Sequence, residues 1–197
     1  MTKTRSSLIR RVRDANDAAG WAEFVAFYEP LLCSFVRSRG VPAADVADIV
    51  QEIFLKLLRT LPGFTLDPSK GRFRTWLYQV TLSAVYDAAR RKASRDRTAT
   101  GWWENFGKDR VIDEAPSEDW HQAHQRRAVE LAELEVKATT NSRTWQCYEQ
   151  HFHHGRTFAE LADELAITAN AVCVNAGRVL DKVRAASAAK LEELSDE

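Results

Sequence analysis

Between Val46 and Leu58 the apolar residues fall at i, i+3, i+4, i+7 and i+8 without a miss: Val46, Ile49, Val50, Ile53, Phe54, Leu57 and Leu58. That period is the signature of a helix burying one stripe. It leaves Asp45, Asp48, Gln51, Glu52 and Lys56 on the opposite face. No segment shows the strict alternation of a half-buried strand, so the chain is predicted to be all-α. The expected organisation is two small helical domains, residues 5–98 and 123–190, joined by a flexible acidic linker over 99–122.

Other stripes support that reading. Phe24, Val25, Tyr28, Leu31, Leu32, Phe35 and Val36 form one, and Pro30 inside it is expected to kink or interrupt the helix. Gly40-Val41-Pro42 is a breaker, and Pro62-Gly63 with Asp67-Pro68-Ser69-Lys70-Gly71 marks a loop. A third helix carries Phe73, Trp76, Leu77, Val80 and Ala84 on one side, a position that favours core for Trp76. It ends in Arg90, Arg91, Lys92, Arg95 and Arg97, opposed nearby only by Asp96. Periodicity then fails from about Thr98 to His121. The aromatics there, Trp102, Trp103, Phe106 and Trp120, are too many for a passive tether, so parts of the stretch are expected to dock.

Charge divides the chain. Residues 1–100 carry 17 Lys+Arg against 10 Asp+Glu, net +7, whereas residues 101–197 carry 11 against 18, net −7. Phosphate attraction is screened beyond ~8–10 Å and acts locally, so the first half is the electrostatic candidate for nucleic acid. Nothing approaches the ~18 consecutive apolar residues that span a bilayer. Three unpaired-looking cysteines, Cys33, Cys147 and Cys173, argue against a disulfide framework and fit a reducing cytoplasm.

Thr157 followed by Glu160 is a capping box that starts a helix with Phe158, Leu161, Ala162 and Leu165 inward. Ala166-Ile167-Thr168 makes a turn, and Thr168 can cap the next helix. That helix buries Val172, Ala176, Val179, Leu180 and Val183 and turns Asn170, Asn175 and Arg178 outward. Asn pairs bidentately with adenine, and Arg with guanine or phosphate, as a recognition helix requires. An ordinary helical hairpin with a polar outer face satisfies the same spacing. In the first half, aromatics upstream of a cationic patch suit separated DNA strands, since cations hold phosphates and apolar pockets accept unstacked bases. Nothing nearby in the sequence neutralises Arg90, Arg91, Lys92, Arg95 and Arg97, which favours nucleic-acid contact.

These segments together resemble the extracytoplasmic-function sigma factors of the sigma-70 family, small two-domain specificity subunits of bacterial RNA polymerase. DVADIVQEIFLKLLRTLPGF (Asp45 to Phe64) is similar to the family's core-polymerase-binding helix, and FRTWLYQVTLSAVYDAARR (Phe73 to Arg91) to its promoter-melting segment. The resemblance spans roughly residues 5–98 and 125–187. It implies a region 2 helical bundle and a region 4 helix-turn-helix. Asp45, Asp48, Gln51 and Glu52 would face the clamp helices of the polymerase largest subunit. Ser83, Tyr86, Asp87, Arg90, Arg91, Lys92 and Arg95 would lie at the downstream promoter element. Thr168, Asn170, Asn175 and Arg178 would read the upstream element, and the linker would thread toward the active-site cleft. Further implied partners are the polymerase flap, an anti-sigma factor or a regulatory kinase.

Four positions depart from the family pattern. Ala47 stands where Glu is usual, which implies a weaker or regulated core interface, with nearby phosphorylation a candidate compensation. Ser83 replaces the usual Asn, and Cys173 and Asn175 stand where many relatives carry Lys or Arg.

Cys147, His151, His153 and His154 cluster, with His121 and His124 upstream, but His153 does not share the helical face of Cys147 and His151, so polar helix and turn roles are favoured over metal. The chain has no GxxxxGK[ST] or HExxH motif and no evident acid/base pair, so no catalytic residue, cofactor or metal is expected. The functions that fit these features are a sigma factor, a stand-alone helix-turn-helix regulator, and a polymerase-binding interaction protein.

Overall fold

The computed structural model describes residues 8–64, 73–95 and 115–193. Arg97, Trp102, Trp103, Phe106 and the Asp67–Gly71 loop lie outside the described residues, as does the side chain of Arg95. The helices are α1 (Leu8–Arg11), α2 (Ala18–Ser38), α3 (Ala43–Thr60), α4 (Phe73–Arg95), α5 (Glu118–Thr139), α6 (Ser142–Phe152), α7 (Phe158–Leu165) and α8 (Ala169–Glu193), with a 3-10 turn at Leu61–Gly63. Among the described residues there is no strand, and the protein is all-α. The chain divides into two compact units, one reaching His124 and the other Gln125–Leu191.

In the first unit, Asp17 caps α2 by accepting from the Gly20 amide at 2.7 Å, and the Arg11 guanidinium meets the same carboxylate at 3.0 Å. Arg11 and that amide together hold the Asp17 carboxyl below its ordinary range. α2 continues through Pro30 as one helix, so of the expected kink or interruption the interruption does not occur. Pro30 is exposed, and buried Phe24, Phe27, Tyr28, Leu31 and Leu32 pack the helix on both sides of it. Packing on the inner face therefore outweighs one missing N–H on the outer face. Gly40, at φ +80°, ends the helix in the left-handed conformation that glycine adopts without a Cβ penalty.

α4 is buried on more than one side. Phe73, Leu77, Val80 and Ala84 are buried as expected, but so are Tyr78, Thr81, Leu82, Val85 and Ala89. Apolar contact on more than one side explains why a single stripe understates its burial. The Thr81 hydroxyl is satisfied by the Leu77 carbonyl at 2.8 Å. Trp76 is only half-buried, its ring 4.4 Å from that of Phe64. Leu58, assigned by its spacing to the buried stripe of α3, is instead 40% exposed.

Trp120 lies in the first turn of α5 and is fully buried in the first unit. Its ring sits 4.8 Å from Phe35 and 5.4 Å from Tyr78, and its indole N–H donates to the Arg74 carbonyl at 3.2 Å. One aromatic of the linker stretch thus docks on α2 and α4. His124, one turn later, is also fully buried, 5.8 Å from the Tyr28 ring.

The second unit has two adjoining cores. Ala132, Val136, Trp145, Tyr148, Val179 and Val183 form one; Cys147, Leu161, Val172 and Ala176 form the other.

Candidate functional site

On α3, Asp48, Gln51 and Glu52 are exposed and Asp45 is half-buried. Helical geometry sets Leu55 among them, at i+7 from Asp48, i+4 from Gln51 and i+3 from Glu52. Leu55 is 53% exposed, an apolar side chain inside an acidic patch. Periodicity did not single it out, because it belongs neither to the buried stripe nor to the charged set. A groove of about 410 Å³ runs beside it, lined by Glu52, Leu55, Lys56, Arg59, Thr60 and Asp87.

The cationic end of α4 is not the unopposed patch its sequence suggests. Arg91 pairs with Glu52 at 2.6 Å, Lys92 with Asp45 at 3.3 Å, and Arg90 with Asp87 at 2.8 Å. Two of the three counter-ions come from α3, 39 and 47 residues away in sequence. Lys56 of α3 also donates to Ser83 at 3.3 Å, and Ser83 donates to Asp87 at 3.4 Å. The pairing order, 45 with 92 and 56 with 83, runs α3 and α4 antiparallel. Ser83, Asp87 and Arg91, at i, i+4 and i+8, therefore line the α4 side of one polar seam. Tyr86 is half-buried beside it. Two groups of residues with separate expected roles thus meet across one seam through separate polar contacts.

In the second unit the helix-turn-helix forms as expected. The Thr157 hydroxyl accepts from the Glu160 amide at 3.3 Å, and Glu160 accepts from the Thr157 amide at 2.8 Å. The Thr157 amide and hydroxyl, both donating to the Glu160 carboxyl, hold it below its ordinary range. Ala166 turns the chain at φ +49°, and the Thr168 hydroxyl accepts from the Ala171 amide at 3.1 Å to cap α8. Arg143 of α6 also bonds the Leu165 carbonyl at the end of α7. Val172, Ala176, Val179 and Val183 are buried, while Thr168, Asn170 and Arg178 are exposed and Asn175 is half-buried. Asn170, Val174 and Arg178 stand at i, i+4 and i+8 and form one outward ridge. Val174, 41% exposed, is a member that charge-based reasoning passed over.

The Cys and His residues considered as metal ligands have other surroundings. Cys147 is buried in the core beneath the helix-turn-helix, and His151 Nδ1 lies 2.8 Å from the Arg156 carbonyl. His153 Nε2 is 2.8 Å from Glu133, which also accepts from the Tyr148 hydroxyl at 2.6 Å. Burial and that carboxylate push the Tyr148 phenol well above its ordinary value. Among the described residues no three His, Cys, Asp or Glu side chains converge as metal ligands. No helix of the described residues is long and apolar enough to cross a membrane.

The class follows from the helices that carry the α3–α4 seam. Residues 24–95, covering most of α2 and all of α3 and α4, match the sigma-70 region 2 family. The extracytoplasmic-function (ECF) RNA polymerase sigma factor RpoE of Cereibacter sphaeroides is 22% identical over 178 residues, covering 90% of this chain and 92% of that protein. The ECF RNA polymerase sigma-E factors of Escherichia coli K12 and Salmonella typhimurium LT2 are each 38% identical over 82 residues. Those matches cover 42% of this chain and 40% of each relative. A solved structure of CnrH in complex with the cytosolic domain of CnrY aligns with 90% of this chain and 93% of that one, at 22% identity and a TM-score of 0.35, a loose likeness only. Residues 24–95 thus carry the sigma-70 region 2 helices, and the chain is similar along most of its length to an extracytoplasmic-function RNA polymerase sigma factor.

Proposed function

We infer that the chain acts in transcription initiation as an RNA polymerase sigma factor, bringing the core enzyme to promoters and helping to open them. The observation that carries this reading is the region 2 match over the same helices that present the acidic α3 patch and the α4 seam. Asp45, Asp48, Gln51 and Glu52 meet a basic surface of the core enzyme, taken to be the clamp helices of its largest subunit. Leu55 supplies an apolar anchor at the middle of that contact, where a desolvated side chain contributes most.

Ser83, Tyr86, Asp87, Arg90, Arg91, Lys92 and Arg95 serve the downstream element, the cations through phosphates and the polar groups through an extruded base. Thr168, Asn170, Asn175 and Arg178 serve the upstream element in duplex form. There Asn and Arg read base edges, and Val174 fits a thymine methyl group. The domain limits that suit these roles are 5–98 for the polymerase and melting domain and 123–190 for the duplex reader. Opening draws on binding energy for the unpaired strand, with no nucleotide hydrolysis. The flap, an anti-sigma factor and a regulatory kinase remain proposed partners of the same kind.

Run-off transcription with core polymerase and a genomic promoter library tests this reading. Promoter-dependent transcripts that require the chain are the expected result. A stand-alone regulator would bind duplex DNA yet confer no initiation, and a sequestering protein would only inhibit.

A further inference from the structure

Two sets of charges assigned to different ligands neutralise each other across the α3–α4 seam. Glu52 holds Arg91 at 2.6 Å and Asp45 holds Lys92 at 3.3 Å. Arg91 and Glu52 are each 46% exposed, Lys92 44% and Asp45 30%, so each pair can open without unfolding a core. A cationic protein surface arriving at α3 competes with Arg91 and Lys92 for the carboxylates. A phosphate arriving at α4 competes with Glu52 and Asp45 for the cations. Neither ligand needs to touch the other.

We propose that these two ion pairs are a latch that couples core-polymerase binding to DNA binding: engaging the α3 acids releases Arg91 and Lys92 for phosphates, and the reverse. The proposal rests on the sigma-factor reading above. Linkage requires the two effects to be equal in size. Breaking one exposed ion pair shifts an equilibrium by roughly 1.5- to 5-fold, so two shift it by roughly 2- to 25-fold. Asp48 is exposed on the same helix and has no ion-pair partner among the described residues, so it provides an internal comparison. Arg90 pairs with Asp87 inside α4 and lies outside the latch.

A double-mutant cycle separates release of the cations from the general effect of removing anions near DNA. The affinity of the full chain for a fluorescein-labelled single-stranded oligonucleotide of mixed sequence is measured by anisotropy at low ionic strength. The variants are D45N/E52Q, R91Q/K92Q, their combination, and D48N, each checked by circular dichroism. The latch predicts that D45N/E52Q tightens DNA binding about three- to tenfold in the wild-type background. In the R91Q/K92Q background the gain should fall to about that of D48N. An equal gain in both backgrounds overturns the latch and leaves the sigma-factor reading standing. Failure of the wild-type chain in run-off transcription overturns that reading and the latch with it.

Discussion

His124 provides a sharp test of how the start of α5 is held. The Trp120 carbonyl 2.9 Å from Nδ1 can only accept, so Nδ1 carries the proton in the neutral ring. Nε2 is then a bare lone pair, buried and without a hydrogen-bond partner among the described residues. Protonating it would place a cation in an aromatic cage formed with Tyr28 and Trp120. Burial lowers the His124 pKa from 6.5 to about 4; the Trp120 carbonyl opposes this, and the charges of Arg74 and His121 add to it.

Between those two values the unfolded chain binds a proton that the folded unit refuses. The stabilisation is therefore fully present above pH ~6.5 and lost as the pH falls towards ~4, at about 1.4 kcal/mol per pH unit. The total is roughly 3 kcal/mol, a large part of a typical ~5–15 kcal/mol domain stability. Asp17 and Glu160 have lowered values, so their losses begin only below the ordinary carboxylate range, near pH ~4.5. The interval from pH ~6.5 to ~4.5 lies above those carboxylate losses, and comparison with a His124 variant assigns the slope there to this imidazole. Urea unfolding of the full chain across that interval should show the slope in the wild type and lose it in His124→Gln, whose amide can still donate to Trp120. An NMR titration of labelled histidine in the wild type should show one ring still neutral at pH ~5. A wild-type slope matching that of the variant, or a ring that titrates with a free imidazole's midpoint, refutes the argument.

Three further outcomes are expected. Thr157→Ala removes the capping-box hydroxyl and should destabilise the second unit by about 1 kcal/mol, whereas Ala166→Gly relieves the left-handed backbone and should stabilise it by about 1 kcal/mol, both read from thermal unfolding. Leu55→Asp should weaken core-polymerase association at least tenfold in a pull-down titration while leaving stability within ~0.5 kcal/mol, because the side chain is exposed, and Asp48→Lys with Glu52→Lys should abolish association. Unchanged binding in those variants would mean that the patch faces something else. Arg178→Ala should cost ~1–3 kcal/mol in binding to upstream promoter duplex if it makes a bidentate base contact, and an equal loss on every sequence would reduce it to a phosphate contact.

The helix-turn-helix was legible almost residue by residue. The Thr157–Glu160 box, the Ala166–Thr168 turn and the inward Val172, Ala176, Val179 and Val183 are all local, set by positions no more than a few residues apart. The stripe of α3 was legible for the same reason, except at Leu58, where the partner surface runs out. The socket for Trp120 could not be read, because its walls come from α2 and α4. Nor could the neutralised state of Arg91 and Lys92, whose counter-ions lie 39 and 47 residues upstream.

By itself, then, the sequence determined that the chain is helical, where its elements turn, and which motifs liken it to sigma factors. A helix repeats every 3.6 residues and caps itself within one turn, so those features are written in short-range order. Tertiary structure alone decided that α4 is buried on several sides, that Leu55 stays in solvent, and that the α4 cations are matched by α3 acids. Burial and charge pairing depend on which surfaces meet when helices pack, and that choice belongs to the whole fold.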